Sequence, residues 1–119
     1  RNAERLNARG LTDAIAELAA KARAGKLSVA EIEGSTFTIS NPGSVGPVLH
    51  TEALINPPEV GILGLPGIVR AVKAVPDGDG WATAVRPVLR PSLTFDHRAI
   101  DGGPAVEFLN TLKARIEAL

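Results

Sequence analysis

The stretch from Leu93 to Gly103, LTFDHRAIDGG, decides how the rest of the chain is read. Its first residues are apolar and β-prone, as a half-buried strand requires, and it closes on two glycines followed by Pro104. Beyond them, Ala105, Val106, Phe108, Leu109, Leu112, Ile116 and Leu119 recur at helical spacing, and Pro104 suits a helix's first turn. The stretch is therefore predicted to join a strand to a helix, with the glycine pair as the break. Two aspartates, an arginine and one of the chain's two histidines, His50 and His97, stand close to that junction.

Working backwards, a long strand is predicted from Trp81 to Phe95, where Pro87 and Pro91 remove two ladder donors and should bend it, bulge it or hold it at an edge. Asp77–Gly80, DGDG, is a strong hairpin turn because Asp and Gly accept positive φ cheaply. IVRAVKAV precedes it, and EVGILGL at 59–65 reads as a short buried run. NPGSVGPVLHTE at 41–52 is a loop, and STFTIS at 35–40 alternates as a strand does. Ser28–Glu31 forms a capping-box pattern opening one short turn. From Leu11 onward, Leu11, Ile15, Leu18, Ala19 and Ala22 mark a helix that should stop at Ala24–Gly25, while residues 1–10 show no periodicity. Helix, several strands, helix is the order of an α/β or α+β two-layer fold, with helices covering one face of a mixed sheet.

The 119 residues suffice for one small domain or a piece of a larger one. Apolar residues make up 45% and aromatics only 3%, so any core rests on Ala, Val, Leu and Ile. Thirteen basic residues balance thirteen acidic ones, which leaves no electrostatic footprint for nucleic acid or an anionic membrane. No apolar run is long enough to span a bilayer, and no signal peptide is visible. With no cysteine, the chain has no thiol chemistry of its own. It starts at Arg1 and lacks methionine, so it is expected to be part of a longer product.

His97 can serve as a general base, since an ordinary imidazole is largely neutral at pH 7. Asp96 or Asp101 could orient the ring or pair with a basic group, and Gly102–Gly103 would allow a close backbone approach. The plainer reading makes His97 a surface or capping residue. Two histidines 47 positions apart with scattered carboxylates form no metal-ligand pattern, so no metal is expected.

DHRAIDGG resembles the His-x-x-x-Asp-Gly signature of the dihydrolipoamide acyltransferases, the core components of 2-oxo acid dehydrogenase complexes, and of the related chloramphenicol acetyltransferases. Its fuller Asp-His-Arg-x-x-Asp-Gly form points to the first group. Three further blocks are similar to that family and occur in its order: KARAGKLS at 21–28, GSTFTISNPGSVG at 34–46 and INPPEVGILGL at 55–65. Pro42 and LPGIVR at 65–70 depart from the commoner pattern, and Pro42 should stiffen the loop beside Ser40.

The resemblance implies a chloramphenicol acetyltransferase-like fold, with residues 1–119 as the C-terminal half of the catalytic domain and the lipoyl and peripheral-subunit-binding domains absent. It implies acyl transfer between lipoyl-lysine and coenzyme A, both substrates, with both sulfurs supplied by them. His97 would be the base, Asp101 would brace the motif by pairing with an arginine of the missing half, and Ser40 would donate to the tetrahedral oxyanion. Read without the resemblance, Ser40 is a hydroxyl capping the Asn41-Pro42-Gly43 loop, and Asp101 a carboxylate satisfying helix N–H groups ahead of Pro104.

The family's sites lie between subunits of a homotrimer, so His97 and Ser40 are expected to act from different chains. Such trimers build cores of 24 or 60 copies, which meet decarboxylase and dihydrolipoamide dehydrogenase components through the absent domains. The compartment implied is the bacterial or archaeal cytoplasm or the mitochondrial matrix. Two other readings remain: a non-catalytic assembly module derived from the fold, and an acetyltransferase acting on a small hydroxyl compound. The acyl group is not legible, because the walls that choose it belong largely to the missing half.

Overall fold

The computed structural model describes residues 2–119, which divide between Ser35 and Thr36 into two compact units. In the first, helix α1 spans Ala8–Arg23 and a short helix α2 spans Val29–Ile32. Helix α1 begins three residues before the apolar periodicity does. The reason is a local cap: the Asn7 side chain accepts the Gly10 N–H at 2.9 Å, which satisfies an orphan donor of the first turn. Its end lies where the sequence places it. Gly25 takes φ 65°, its N–H donates to the Ala22 carbonyl and the Lys26 N–H donates to that of Lys21, the paired bonds of a Schellman stop. The capping box is present too, with Glu31 accepting from both the backbone and the hydroxyl of Ser28. Lys21 ties α1 to α2 through a 2.7 Å ion pair to Glu31, and a second of 2.7 Å joins it to Glu17 within α1. Of the α1 apolar stripe, Ile15 and Leu18 are exposed.

The second unit holds β1 (Thr38–Ser40), β2 (Gly61–Gly64), β3 (Val69–Asp77), β4 (Gly80–Val88), β5 (Ser92–Phe95) and α3 (Gly102–Glu117). They form two sheets. A mixed one has the order β1-β2-β5, β1 parallel and β5 antiparallel to β2, and β3-β4 is a separate hairpin. Strand β2 is buried at all four positions, as its unbroken GILG run predicts for a central strand. Ile62 and Leu63 on it and Ala105 of α3 are buried apolar residues, and each large one contributes about 2 kcal/mol of transfer free energy. Helix α3 packs against β5. The Phe37 ring, just ahead of β1, meets the Phe108 ring of α3 at 6.0 Å. Gly61 leaves room for Phe37, since a Cβ there would lie 3.2 Å from the ring.

The DGDG turn forms as predicted, Asp77 pairing with Gly80 and Gly78 taking φ 55°. The single strand predicted from Trp81 to Phe95 does not exist. It is cut at residues 89–91 into β4 and β5, which belong to different sheets. Pro91 stands at that cut without a donor for a continuous ladder, and the chain changes partner there. The strand predicted over 35–40 is limited to Thr38–Ser40. Gly102 and Gly103 are no break either: they are the first two residues of α3, with Asp101 at the N-cap position. One face of the hairpin leaves Val72, Val85 and Trp81 exposed.

Candidate active site

Strand β5 delivers His97, and Asp96 shapes its exit. The Asp96 N–H donates to the Val60 carbonyl at 2.9 Å, one step past the Phe95–Gly61 pair, so the ladder ends with Asp96 still held to the sheet. The chain then turns about the Asp96 carbonyl, which accepts the N–H groups of Ala99 and Ile100, each at 3.0 Å. His97 stands at the start of this turn with its side chain 73% exposed and its ring 5.6 Å from that of Phe95.

The two neighbouring aspartates divide their work differently from the expectation. Asp101 Oδ1 lies 3.8 Å from His97 Nδ1, too far for a hydrogen bond yet close enough to face that nitrogen. Its carboxylate is 87% exposed and makes no capping bond to α3, so the predicted role of satisfying helix N–H groups is not observed. Asp96 instead pairs with Arg98. Arg98 Nε and Nη2 donate to its carboxylate at 2.9 and 2.6 Å, and the Arg98 backbone N–H adds a third bond at 2.9 Å. These bonds, the guanidinium fork first, hold the Asp96 carboxyl down at a pKa of about 2, from an ordinary 3.8. A close backbone approach at Gly102–Gly103 is also not seen: a Cβ at either would meet nothing within 4 Å.

Ser40 ends β1, half-buried, with its carbonyl accepting the Leu65 N–H at 2.8 Å. The loop-capping duty expected of its hydroxyl is performed by Ser44, whose hydroxyl donates to the Asn41 carbonyl at 2.8 Å. Among the described residues the Ser40 hydroxyl makes no hydrogen bond of its own, so it is available to a ligand. The loop after it is pinned tightly. The Gly43 N–H donates to the Leu65 carbonyl, and a Cβ on Gly43 would fall 2.4 Å from the Pro66–Gly67 backbone, a contact only glycine permits.

Ser40 and His97 do not meet within one chain. Ser40 pairs with Gly64, and Gly64 with Ser92, at one end of the mixed sheet; Phe95 pairs with Gly61 at the other. Three residues of strand and two strand spacings place about 14 Å between Ser40 and Phe95, and His97 lies two residues further on.

Sequence reasoning missed the groove beside β5. It encloses about 560 Å³ and is lined by His50, Glu52, Leu54, Ser92, Leu93 and Phe95 among others. Its polar end is the His50–Glu52 pair, 3.3 Å apart, and the Ser92 hydroxyl fixes its wall by donating to the Thr51 carbonyl. Phe95 both lines the groove and lies against the His97 ring. No sequence pattern marks it, because the loop residues and β5 are some forty positions apart. Among the described residues no cluster of three His, Asp or Glu side chains is placed to hold a metal ion, and no helix is long and apolar enough to cross a membrane.

Residues 1–119 match the family model of the 2-oxoacid dehydrogenases acyltransferase (catalytic domain). The chain is 43% identical over 117 residues to the human mitochondrial dihydrolipoyllysine-residue succinyltransferase component of the 2-oxoglutarate dehydrogenase complex, covering 98% of this chain and 25% of that protein. It is 45% identical over 113 residues to the acetyltransferase component of the pyruvate dehydrogenase complex of Mycobacterium tuberculosis, covering 94% of this chain and 20% of that one. Among solved structures it is similar to a probable dihydrolipoamide acetyltransferase from Listeria monocytogenes, with a TM-score of 0.87 at 41% identity over 98% of this chain and 48% of that one. A dihydrolipoamide acetyltransferase from Azotobacter vinelandii matches with a TM-score of 0.79 at 38% identity, over 94% of this chain and 44% of that one. That structure concerns the role of a serine, a histidine and, four residues after the histidine, an asparagine in its catalytic mechanism. The chain thus spans about a quarter of the curated relatives and about half of the solved ones.

Proposed function

Because the chain belongs to the 2-oxoacid dehydrogenase acyltransferase family, we propose that it transfers acyl groups between dihydrolipoyl-lysine and coenzyme A, as the C-terminal half of a catalytic domain. The observation that carries this reading is His97, raised from the end of β5 with Nδ1 toward Asp101 and its ring 5.6 Å from that of Phe95, which lines an open groove. With Nδ1 facing Asp101, Nε2 is the nitrogen turned to the substrate.

The thiol of one substrate gives its proton to His97 Nε2, and the thiolate attacks the carbonyl carbon of the other substrate's thioester. The tetrahedral oxyanion is met by the Ser40 hydroxyl. Collapse breaks the original C–S bond, and the departing thiolate recovers the proton from Nε2. A positioned base supplies roughly 10²–10⁴-fold, and one oxyanion donor about 3–4 kcal/mol. The groove along β5, with Leu93 and Phe95 on its wall, is the size of a small-ligand cleft and lies where a substrate arm would approach the ring.

The separation of Ser40 from His97 supports a site assembled from two chains, and hence a homotrimer or larger core. The Azotobacter protein is titled for an asparagine four residues after its histidine, the spacing of Asp101 from His97. Asp101 thus stands at the spacing of that asparagine, with its carboxylate 3.8 Å from His97 Nδ1. Identity to the succinyl- and acetyl-transferring relatives is nearly equal, which points to machinery common to both.

The test measures acyl transfer from acetyl-, succinyl- and branched-chain acyl-CoA to dihydrolipoamide, with the N-terminal half of a solved relative's domain supplied. The expected result is a rate with at least one donor that His97→Ala reduces by about 10³-fold. Equal rates for wild type and His97→Ala, or none with any donor, would leave an assembly module as the better account.

A further inference from the structure

We infer that the Asp96–Arg98 pair sets His97 in its working position, so that Asp96 is a positioning residue for the proton transfer proposed above, on which reading the inference rests. All three hydrogen-bonding parts of Asp96 are engaged. Its N–H is anchored to the Val60 carbonyl, at the entrance of the buried strand β2. Its carbonyl collects the N–H groups of Ala99 and Ile100 and so closes the turn. Its carboxylate takes the Arg98 backbone N–H at 2.9 Å, Nε at 2.9 and 3.1 Å and Nη2 at 2.6 Å.

His97 is the one residue between the partners of this clamp. Both of its peptide neighbours are fixed, Asp96 to the sheet and Arg98 to Asp96, so the backbone has little freedom to swing the imidazole. The Asp96 side chain is only 23% exposed, whereas Asp101 is 87% exposed and reaches His97 at 3.8 Å alone. Of the two carboxylates, Asp96 is the one built into the structure. With its carboxyl held at about 2, it stays ionised across neutral pH and keeps its partner.

The geometry of the fork matters more than the charge. An exposed ion pair in water contributes little by attraction alone, and Arg98 is 91% exposed. Two parallel N–H donors on one carboxylate, together with the backbone N–H of the same residue, fix orientation, and a lysine cannot reproduce that. A displacement of about 1 Å at a reacting group is enough to cost on the order of 10²-fold in rate.

The experiment uses the completed domain and separates kcat from KM. Asp96→Ala and Arg98→Ala are each expected to lower kcat by about 10–100-fold, with KM for acyl-CoA and dihydrolipoamide nearly unchanged. Arg98→Lys should fall between Arg98→Ala and wild type, and the double variant should be no slower than Asp96→Ala. In a His97→Ala background, Asp96→Ala should have no further effect. Amide exchange at Ala99 and Ile100 should accelerate in Arg98→Lys while circular dichroism is unchanged, a readout that does not depend on Asp96→Ala folding. Wild-type kcat in Asp96→Ala, a loss carried by KM, or unchanged exchange in Arg98→Lys overturns the positioning role while His97→Ala still reports on the base. A fully active His97→Ala removes the base assignment and the clamp's purpose together.

Discussion

If Ser40 and His97 serve one reaction from different chains, two inactive proteins mixed together should make an active one. The perturbation is co-expression of equal amounts of Ser40→Ala and His97→Ala chains, each with the N-terminal half of the domain supplied, with no selection for mixed assemblies. The register supplies the reason: about 14 Å of sheet separate Ser40 from Phe95 before the turn to His97 adds more. A serine and a histidine acting on one tetrahedral centre each have to lie about 3 Å from it. In any closed ring, a competent site needs the intact histidine of one chain beside the intact serine of its neighbour. Random assembly of equal amounts provides that at about one site in four. The mixture should therefore recover about a quarter of the wild-type rate, while Ser40→Ala alone is slower by about 10²–10³-fold and His97→Ala slower still. Activity no greater than the average of the two parents would refute the cross-chain site.

Gly43→Ala should destabilise the fold by about 3 kcal/mol, read by denaturant midpoint, because its Cβ meets backbone at 2.4 Å that cannot step aside. Gly25→Ala should cost about 1 kcal/mol, since φ 65° at the end of α1 is a left-handed conformation, while Gly25→Asn should cost less. Glu31 is held at a pKa of about 2, below its ordinary 4.5, first by the Lys21 hydrogen bond and then by those of Ser28. A depressed carboxyl contributes order that is present above the ordinary value and lost as pH falls through the folded one. Amides around α2 should thus lose protection progressively as pH falls from about 4.5 to about 2, and Glu31→Gln should weaken that protection at neutral pH.

Features written in a few adjacent residues were legible. Ala24–Gly25 stops α1, Ser28–Glu31 caps α2, and DGDG turns the hairpin, because each is fixed by backbone preferences acting within one turn. The start of α1 was missed because Asn7 caps it outside the apolar pattern. The division of the Trp81–Phe95 run was missed because which sheet a strand joins is decided by partners far away in sequence.

Within the site, the flanking blocks made His97 and Ser40 candidates acting from different chains, and the register adds the distance between them within one chain. Asp101 was expected to pair with an arginine outside this chain, and within the chain the arginine pair belongs to Asp96 instead. Asp96 stands two residues from Arg98, and that spacing was signal enough for a pair once the chain turns between them. The groove has no local signal at all, since His50 and Phe95 approach only through the fold.

How β5 reaches the central strand follows from where the β3-β4 hairpin sits. It occupies Val69–Val88, all but seven of the residues that separate Gly64 from Ser92. A hairpin with a two-residue turn closes in microseconds without help from the rest of the chain. Once closed, it turns a long loop into a very short one, which lowers the entropy of joining β5 to β2 by about 1 kcal/mol. The hairpin is thus a clasp: by closing on itself it shortens the loop that joins β5, and with it the histidine turn, to the central strand.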